Sequence, residues 1–284
     1  RQSVFHAWLQ HLPTHGAPWK AGTSLQVCVG TGHANGKLDP LYLEPLEGET
    51  STADDVVIDN GREGLVRLRL ETPLPLWRGA RVVVRAFSDP SEDFQGRTIG
   101  GGEVLDPEPS SGRGQRPRWI TLGRALHGDD PRVQISALID DAGAMGIDEA
   151  ALARRTGIDD VRAAVDPLLK GKRAFATRLG KDRYVQDAAV LELAERAIST
   201  VDKFHGAQPL KTGMPRPALE AALGKRVAPD VAAAAIDRAV ERGALRAVDE
   251  AGTLRAIQEA YEEHGCLLDP HTAVGVGAAK QVDL

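Results

Sequence analysis

The stretch RVVVRAFSDPSEDFQGRTIGGGEVLDPEP at residues 81–109 decides how the first part of the chain folds. RVVVRAF at 81–87 is predicted as a strand. The glycine triplet 100–102 removes side chains where backbones must pass closely, which favours a tight strand connection over an anion-binding cradle. Upstream, SLQVCV at 24–29 and LVRLRL at 65–70 also predict strands, the second because apolar and charged residues alternate.

Gly and Pro interrupt these runs at short intervals, a pattern typical of a small barrel or sandwich. GTGHANGKL at 30–38 is the nearest approach to a phosphate-binding loop. Its glycine spacing is wrong, and Leu38 stands where a magnesium-binding hydroxyl would be needed. This segment is therefore predicted to be a hairpin or barrel turn.

A change of composition follows at PEPSSGRGQRPR, residues 107–118, which lacks apolar residues and predicts a flexible linker. The patterns at 131–143, 147–157 and 159–172 then predict helices, and Gly157 is a plausible helix end. KRAFATRLGKDRYV at 172–185 predicts a β-hairpin turning at residues 180–182. Three helices followed by a hairpin is the order of a winged helix.

The helical pattern partly repeats at 187–206, 214–224 and 228–248. GALRAV at 243–248 is expected to begin a second hairpin, but no second arm follows it. Instead, residues 251–265 predict an amphipathic helix that ends at Gly265. The second helical module therefore looks incomplete.

Charge excludes a polycation that coats nucleic acid, because 35 Lys/Arg stand against 40 Asp/Glu, a net charge of −5. Only residues 113–186 are basic, with 14 Lys/Arg against 10 Asp/Glu. Cys28 and Cys266 form neither a disulfide framework nor a zinc pair, so a reducing, cytoplasmic setting is expected. No membrane span or signal peptide is predicted, and the start at Arg1 rather than Met suggests a fragment.

Two groups of side chains are candidate sites. His6, His11 and His15 are spaced too irregularly to share a face, which argues against a metal site. Basic residues around the first hairpin, with Phe175 and Tyr184 between them, would suit a nucleic-acid backbone. The alternative is a solvated wing whose two aromatic residues lie in the core. The candidate cations of this wing are Lys170, Lys172, Arg173, Arg178, Lys181 and Arg183.

These residues carry a resemblance to a family. Residues 81–109 resemble the end of the third, elongation-factor-Tu-like barrel domain of SelB, the bacterial selenocysteine-specific translation elongation factor: an Arg-bearing strand, a loop, a glycine-rich strand and an LDP exit. LVRLRLETPLPLWRGARVVVR at 65–85 resembles the strands before it, and KTGMPRPALEAAL at 211–223 resembles the family's entry to a helix. The resemblance covers about residues 1–248.

The resemblance implies an elongation-factor-Tu-like β-barrel followed by two winged-helix domains and an unrelated-looking tail. The expected boundaries are a barrel at 1–108, a linker at 109–118, winged helices at 119–186 and 187–248, and a tail at 249–284. The family's GTPase domain and second barrel are absent from this sequence, so GTP, magnesium and hydrolysis are expected to belong to the full-length family and the fragment is expected not to be an enzyme.

The implied partners are selenocysteyl-tRNA and the ribosome, with the mRNA hairpin bound weakly if at all, because only the first two winged helices of the family's arm are present. A monomer without membrane contact is expected. Three further cations flank the glycine-rich strand, although strand-end arginines are often simply solvated. The full RNA-binding prediction comprises Arg81, Arg85, Arg97, Lys172, Arg173, Arg178, Lys181 and Arg183.

The end of the chain differs from this family. DPHTAVG at 269–275, within EEHGCLLDPHTAVGVGAAK, is similar to the closing segment of threonine synthase, a pyridoxal-phosphate enzyme. That enzyme's lysine-bearing segment is missing, so no pyridoxal phosphate is expected to bind, and a junction near Asp249 between two unrelated sequences is the hypothesis. Pyridoxal-dependent catalysis and a winged-helix DNA regulator remain the alternatives. The regulator's recognition helix at 159–171 would carry Asp159, Asp160 and Asp166.

Overall fold

The computed structural model describes residues 2–13, 17–46, 56–86, 96–110, 115–170, 175–180, 182–208, 211, 213–247 and 250–265. The chain divides into two compact units. Unit 1 comprises Arg1–Asp141 and Ile147–Arg173, and unit 2 comprises Ala142–Gly146 and Ala174–Leu284. Each unit is built around its own core.

Unit 1 begins with a closed antiparallel barrel in the strand order β1-β4-β3-β2-β5-β6, in which β6 pairs back onto β1. Its strands are β1 (Gln2–His11), β2 (Thr23–Val29), β3 (Gly32–Leu43), β4 (Glu63–Leu74), β5 (Arg81–Ala86) and β6 (Thr98–Asp106). All three predicted strand runs are confirmed. On β4, alternation directs Val66, Leu68 and Leu70 into the barrel core.

The turn between β2 and β3 confirms the prediction for residues 30–38. Val29 pairs with Gly32 across a two-residue loop, and Gly30 takes a φ of 55° that suits glycine. The segment continues directly into β3, so its backbone amides are committed to the sheet.

The glycine triplet lies inside β6, between β1 and β5, and not in a connection between strands as predicted. The predicted reason, close passage of backbone, does hold. A Cβ on Gly102 would overlap the carbonyl oxygen of Trp8, and a Cβ on Gly101 would lie 2.7 Å from that of Val82. A Cβ on Gly100 would overlap the ring of Trp19, which fills the core.

Helices complete unit 1: α1 (Arg116–His127), α2 (Pro131–Ala142), α3 (Glu149–Thr156) and α4 (Val161–Leu169), with the two-residue strand β7 (Ile147–Asp148) before α3. Asp148 and Asp160 cap α3 and α4 by accepting hydrogen bonds from backbone N–H groups. Gly157 ends α3 in the left-handed conformation, as predicted. Helix α1 begins inside the segment predicted as a linker.

Unit 2 opens with a 3-10 helix (Gly143–Met145) and the predicted hairpin, β8 (Ala176–Leu179) and β9 (Arg183–Gln186). Four helices follow: α5 (Asp187–Ala207), α6 (Arg216–Ala222), α7 (Pro229–Glu241) and α8 (Glu250–His264). Side chains of α5, α6 and α7 share a core that includes Ala197, Leu219 and Ile236. Within the described part of the chain, residues 242–247 form turns and no second hairpin.

Candidate nucleic-acid interface

Helix α1 covers part of the outer surface of the barrel. Outward-facing residues of β1, β3 and β4 lie beneath it, and Gly123 sits so close to Leu65 that a Cβ would overlap the leucine side chain. Leu65, Trp8 and Tyr42 share this register across the three strands and are buried. We call this surface, the outer side of β1, β3 and β4, the covered wall.

Aromatic and cationic side chains hold α1 on the covered wall. The guanidinium of Arg67 lies 4.0 Å from the centre of the Trp119 ring. His127, in the last turn of α1, stacks on Trp8 with ring centres 3.8 Å apart and an interplanar angle of 5°. Such cation–π and stacked contacts gain strength where water is excluded. Arg67 is therefore a packing residue although it looks like a surface cation in the sequence.

His6 lies beside Arg67 and has no exposed surface. Arg67 Nη1 donates a hydrogen bond to His6 Nε2 over 2.9 Å, which places the imidazole proton on Nδ1, an atom without a hydrogen-bond partner among the described residues. Burial lowers the pKa of His6 to about 4; Asp106 opposes this shift, and Arg67 and Arg155 add to it. His6 is consequently neutral at pH 7.

The LDP exit of the barrel carries a buried ion pair. Asp106 has no exposed surface and accepts two hydrogen bonds from Arg155 of α3, from Nε over 3.0 Å and from Nη2 over 2.6 Å. Burial opposes the charge of Arg155, but Asp106 and Asp141 outweigh this effect and raise the pKa of its guanidinium. Asp141 of α2 also accepts from Arg118 of α1 over 2.6 Å. One network thus ties three helices to the end of β6.

Arg78 adds a second tie. It donates to the carbonyl oxygen of Leu126, at the end of α1, over 2.6 Å and to that of Val104, on β6, over 3.1 Å. Burial lowers its pKa, and Glu103 and Asp106 act against that shift. Its donors satisfy helix-end and strand carbonyls, so Arg78 supports the fold rather than a ligand.

The outer side of β2, β5 and β6, which we call the open wall, differs. Helices α1 and α3 contact β6, where Asp106 at its end binds Arg155 of α3, but Val83 at the centre of the wall is 39% exposed. Arg81 and Arg85 flank Val83 on the same outward face of β5. Gly101 pairs with Val83 and leaves a flat area beside it.

The structure separates the three predicted barrel arginines. Arg85 pairs in register with Thr98, and the carbonyl of Arg97 accepts from the N–H of Ala86 over 3.0 Å, so Arg85 and Arg97 lie at the same end of the open wall. Arg97 is exposed, and Arg85 is half-buried with its Nε unpartnered among the described residues. Arg81 lies at the other end of β5, opposite Glu103.

The predicted wing cations have different environments. Arg183 donates to the carbonyl of Met145 over 2.7 Å and pairs with Asp230 over 2.8 Å. Arg178 is exposed, 3.9 Å from Asp182. Tyr184 is buried and Phe175 is half-buried, as the alternative of a solvated wing expected. Lys172, Arg173 and Lys181 lie outside the described residues.

Lys170 and the helix before it fit nucleic acid poorly. Lys170 pairs with Asp166 over 3.0 Å, and Arg162 of α4 pairs with Glu149 over 2.8 Å. Asp160 is used as the helix cap. These contacts neutralise the cations of α4 and leave exposed Asp159 beside its start, which disfavours insertion into a DNA groove.

The structure also shows where two of the three histidines considered as metal ligands lie. His6 and His11 are buried in β1, whereas His15 lies outside the described residues. Among residues that the structure describes, no group of three or more His, Cys, Asp or Glu is placed to share a metal ion. None of the described helices combines the length and hydropathy of a bilayer crossing.

Sequence reasoning missed the buried charged residues, which are Arg67, Asp106, Asp141 and Arg155. Asp106 stood in the quoted LDP exit, and an acidic residue at a strand end is a weak sign of such a role. Its partner Arg155 is 49 residues away in sequence, a separation that no local pattern bridges.

Comparisons with known proteins bear on both units. The family model described as "Selenocysteine-specific elongation factor, beta-barrel domain" matches residues 8–111, and that described as "Elongation factor SelB, winged helix" matches residues 198–251. The barrel, the helical modules that follow it and these two family matches together define part of a translation elongation factor. More specifically, the chain belongs to the SelB family of selenocysteine-specific elongation factors.

One solved structure has a similar fold. The crystal structure of a bacterial selenocysteine-specific elongation factor, EF-Sec, matches 92% of this chain with a TM-score of 0.56 at 15% sequence identity. This chain spans 37% of that protein's length. A structure of sup35 complexed with GDP matches 38% of this chain and 26% of its own, at 18% identity and a TM-score of 0.31, too weak a likeness to support an inference. A search of curated proteins found no match.

The comparisons do not support the resemblance of residues 249–284 to threonine synthase. Neither family model extends past residue 251, and the DPHTAVG motif lies outside the described residues. Helix α8 confirms the predicted helix at 251–265, ending at Gly265 with a φ of 64°. The pyridoxal and DNA-regulator alternatives are not favoured.

Proposed function

We propose that this chain is the part of a selenocysteine-specific elongation factor that holds selenocysteyl-tRNA on the open wall of the barrel. The observation that carries the proposal is the contrast between the two walls. Arg67, Arg78 and Arg155 are committed to hydrogen bonds or aromatic packing, whereas Arg85 and Arg97 stand together at the edge of an uncovered surface. Neither Arg85 nor Arg97 forms an ion pair among the described residues, and cations without such partners are available to phosphates.

In this proposal the two helical modules after the barrel extend the factor toward the mRNA and the ribosome. They recognise the mRNA only weakly. Helix α7 supports the last point because Asp230, Asp237 and Glu241 line its exposed side. Arg183, Arg216 and Arg238 pair with these three carboxylates, so the described side chains on this side of α7 offer phosphates no unpaired cation. The proposed RNA contact of the first winged helix is its hairpin, with Arg178, Lys172, Arg173 and Lys181. Arg183 is a weaker candidate because it already donates to two acceptors.

Several further points are part of the same proposal. The chain acts as a monomer in the cytoplasm, where translation takes place, and the GTP and magnesium chemistry of the family is carried out by residues other than these. The domain boundaries at 108, 118, 186 and 248 stay a prediction, although the family matches at 8–111 and 198–251 lie close to two of the proposed domains.

The test is a titration of fluorescein-labelled selenocysteyl-tRNA with the 284-residue chain, followed by anisotropy at increasing salt. We expect binding that weakens linearly in a double-logarithmic plot, with a slope of about 0.7 to 0.9 per phosphate contacted. A DNA duplex of equal length is the control. Absence of tRNA binding at about 50 mM salt, or tighter binding of the DNA, would contradict the proposal.

A further inference from the structure

The arginines of unit 2 fall into two groups. Those around α7 are neutralised by carboxylates: Arg216 by Asp237 over 2.8 Å, Arg242 by Glu195 over 2.8 Å, and Arg183 by Asp230. Hydrogen bonds that Arg216 donates to Asp237 and Glu220 raise its pKa, which fixes its charge within that cluster. These paired arginines leave no surplus of positive charge beside α7.

The turn between α6 and α7 has the opposite character. Lys225 and Arg226 are exposed there, and neither forms an ion pair within the described part of the chain. Lys203 of α5 is likewise exposed and unpaired among the described residues. Arg196 lies seven residues before Lys203, so the two share one face of α5, about 10 Å apart along the helix.

The turn is held firmly at both ends. Arg196 Nη2 donates to the carbonyl of Leu223 over 2.7 Å, and the N–H of Ala228 donates to the carbonyl of Ala144 over 3.1 Å. Val227 packs against the cores on both sides of it. Gly224 reverses the chain with a φ of 111°. Lys225 and Arg226 therefore project from a preorganised support, which lowers the entropic cost of binding.

We propose that Lys225 and Arg226, with Arg196 beside the turn and Lys203 about 10 Å further along α5, form a second contact surface for an RNA phosphate backbone. We call these four residues the turn patch. The inference rests on the proposed function, since it takes RNA as the partner, and it assigns to the second helical module a binding role in addition to that of a spacer.

The composition of the turn patch favours RNA over a protein partner. Stable protein interfaces are anchored by buried apolar or aromatic side chains. The large exposed apolar residues of the described chain all lie elsewhere, the nearest in sequence being Met145 and Leu254. The carboxylates nearest along α5 are Glu192, Glu195 and Asp202. Glu195 is already paired with Arg242, so the four cations outnumber the two carboxylates that form no ion pair among the described residues. Such a surface contacts phosphates without reading bases.

The test compares two double variants of the full chain in binding a labelled RNA duplex of about 20 base pairs. Lys225→Gln with Arg226→Gln removes two unpaired cations, and Arg216→Gln with Arg242→Gln removes two paired ones. We expect the first variant to bind about tenfold more weakly, with the salt slope reduced by about 1.8, and the second to change affinity less than threefold. Lys225→Arg should bind like the parent.

Three outcomes overturn the inference. The first is unchanged affinity and slope in the turn variant while Arg85→Gln with Arg97→Gln still weakens tRNA binding, a result that leaves the proposed function standing. The second is absence of duplex binding by the parent chain. The third is tighter binding of an acidic peptide, poly-glutamate, than of RNA at equal salt. Loss of affinity in the turn variant alone supports the turn patch and counts against the barrel site.

Discussion

The covered wall and the open wall of the barrel contain similar residues with opposite roles. On the covered wall, Arg67 lies beneath Trp119 and beside His6, and it is 8% exposed. On the open wall, Arg97 is exposed and Arg85 is half-buried, and neither forms an ion pair among the described residues. The difference teaches that an arginine on a strand marks a binding surface only where nothing else in the fold uses its donors.

The largest expected effect comes from breaking the ion pair at the edge of the covered wall. Asp106→Ala leaves Arg155 charged and buried, and the loss of one partner of such a pair costs about 3–5 kcal/mol. Urea unfolding followed by the fluorescence of Trp8, Trp19 and Trp119, all in unit 1, measures this change in the free energy of unfolding.

Glu108→Gln is the matched control for Asp106→Ala. Glu108 also binds an arginine of α3, Arg154, over 3.1 Å, but this pair is exposed and should contribute about 0–1 kcal/mol. Equal destabilisation by the two variants would show that burial does not distinguish the pairs.

A smaller effect on the free energy of unfolding, about 3 kcal/mol, is expected on acidification, because His6 has different pKa values in the folded and unfolded chains. The pKa of His6 falls from an ordinary 6.5 to about 4 in the folded chain. Above pH 6.5 the residue is neutral in both states. As the pH falls below 6.5, the unfolded chain binds a proton that the folded chain refuses, so stability is lost until the pH reaches about 4.

Comparison with His6→Gln isolates this contribution, because glutamine can still accept the hydrogen bond from Arg67 and does not titrate. Urea unfolding at pH values of about 7, 5.5 and 4.5 should show the parent losing more stability than the variant on acidification. Parallel curves for the two proteins would remove His6 as the cause.

The strand that sequence predicts most clearly is the one whose apolar and charged residues alternate, although α1 covers Arg67 on its outer face. LVRLRL alternates because its inner residues enter the barrel core. The middle of β1 is buried on both faces, since α1 covers His6 and Trp8, and therefore shows no alternation. The start of α1 at residues 116–118 falls within the predicted linker because RPR has no apolar residue, and the buried residues Leu122 and Leu126 come later in the helix.

The candidate site was predictable only in part. Arg81, Arg85 and Arg97 were found because a strand and its neighbouring loop hold cations, but the sequence does not separate Arg81, opposite Glu103, from the adjacent pair Arg85 and Arg97. Sequence does not predict the turn patch because its two lysines and two arginines are brought together by helix packing. Pairing between α5, α6 and α7 decides which cations are neutralised.

An effect of about tenfold on affinity, without loss of stability, is expected on the open wall. Arg85→Gln with Arg97→Gln removes two cations from one end of that wall, which should reduce selenocysteyl-tRNA affinity and lower the salt slope by up to about 1.8. Arg132→Gln, an exposed cation at the start of α2, is the control and should bind like the parent. Equal weakening by the control would indicate an effect of net charge alone.

The smallest effect is expected at Arg69, two residues after Arg67 on β4. Both arginines follow a leucine or valine in LVRLRL, and sequence alone treats them as equivalent outward residues. Arg69 has a side chain 54% exposed and pairs with Asp39 at the rim of the covered wall, so Arg69→Gln should cost about 0–1 kcal/mol. Arg67→Gln loses the contact with Trp119 and its hydrogen bond to His6, and should cost at least twice as much in the same urea titration. If the two variants unfold at the same urea concentration, α1 does not use Arg67 to hold the covered wall, and the distinction between the walls rests on Asp106 and Arg155 alone.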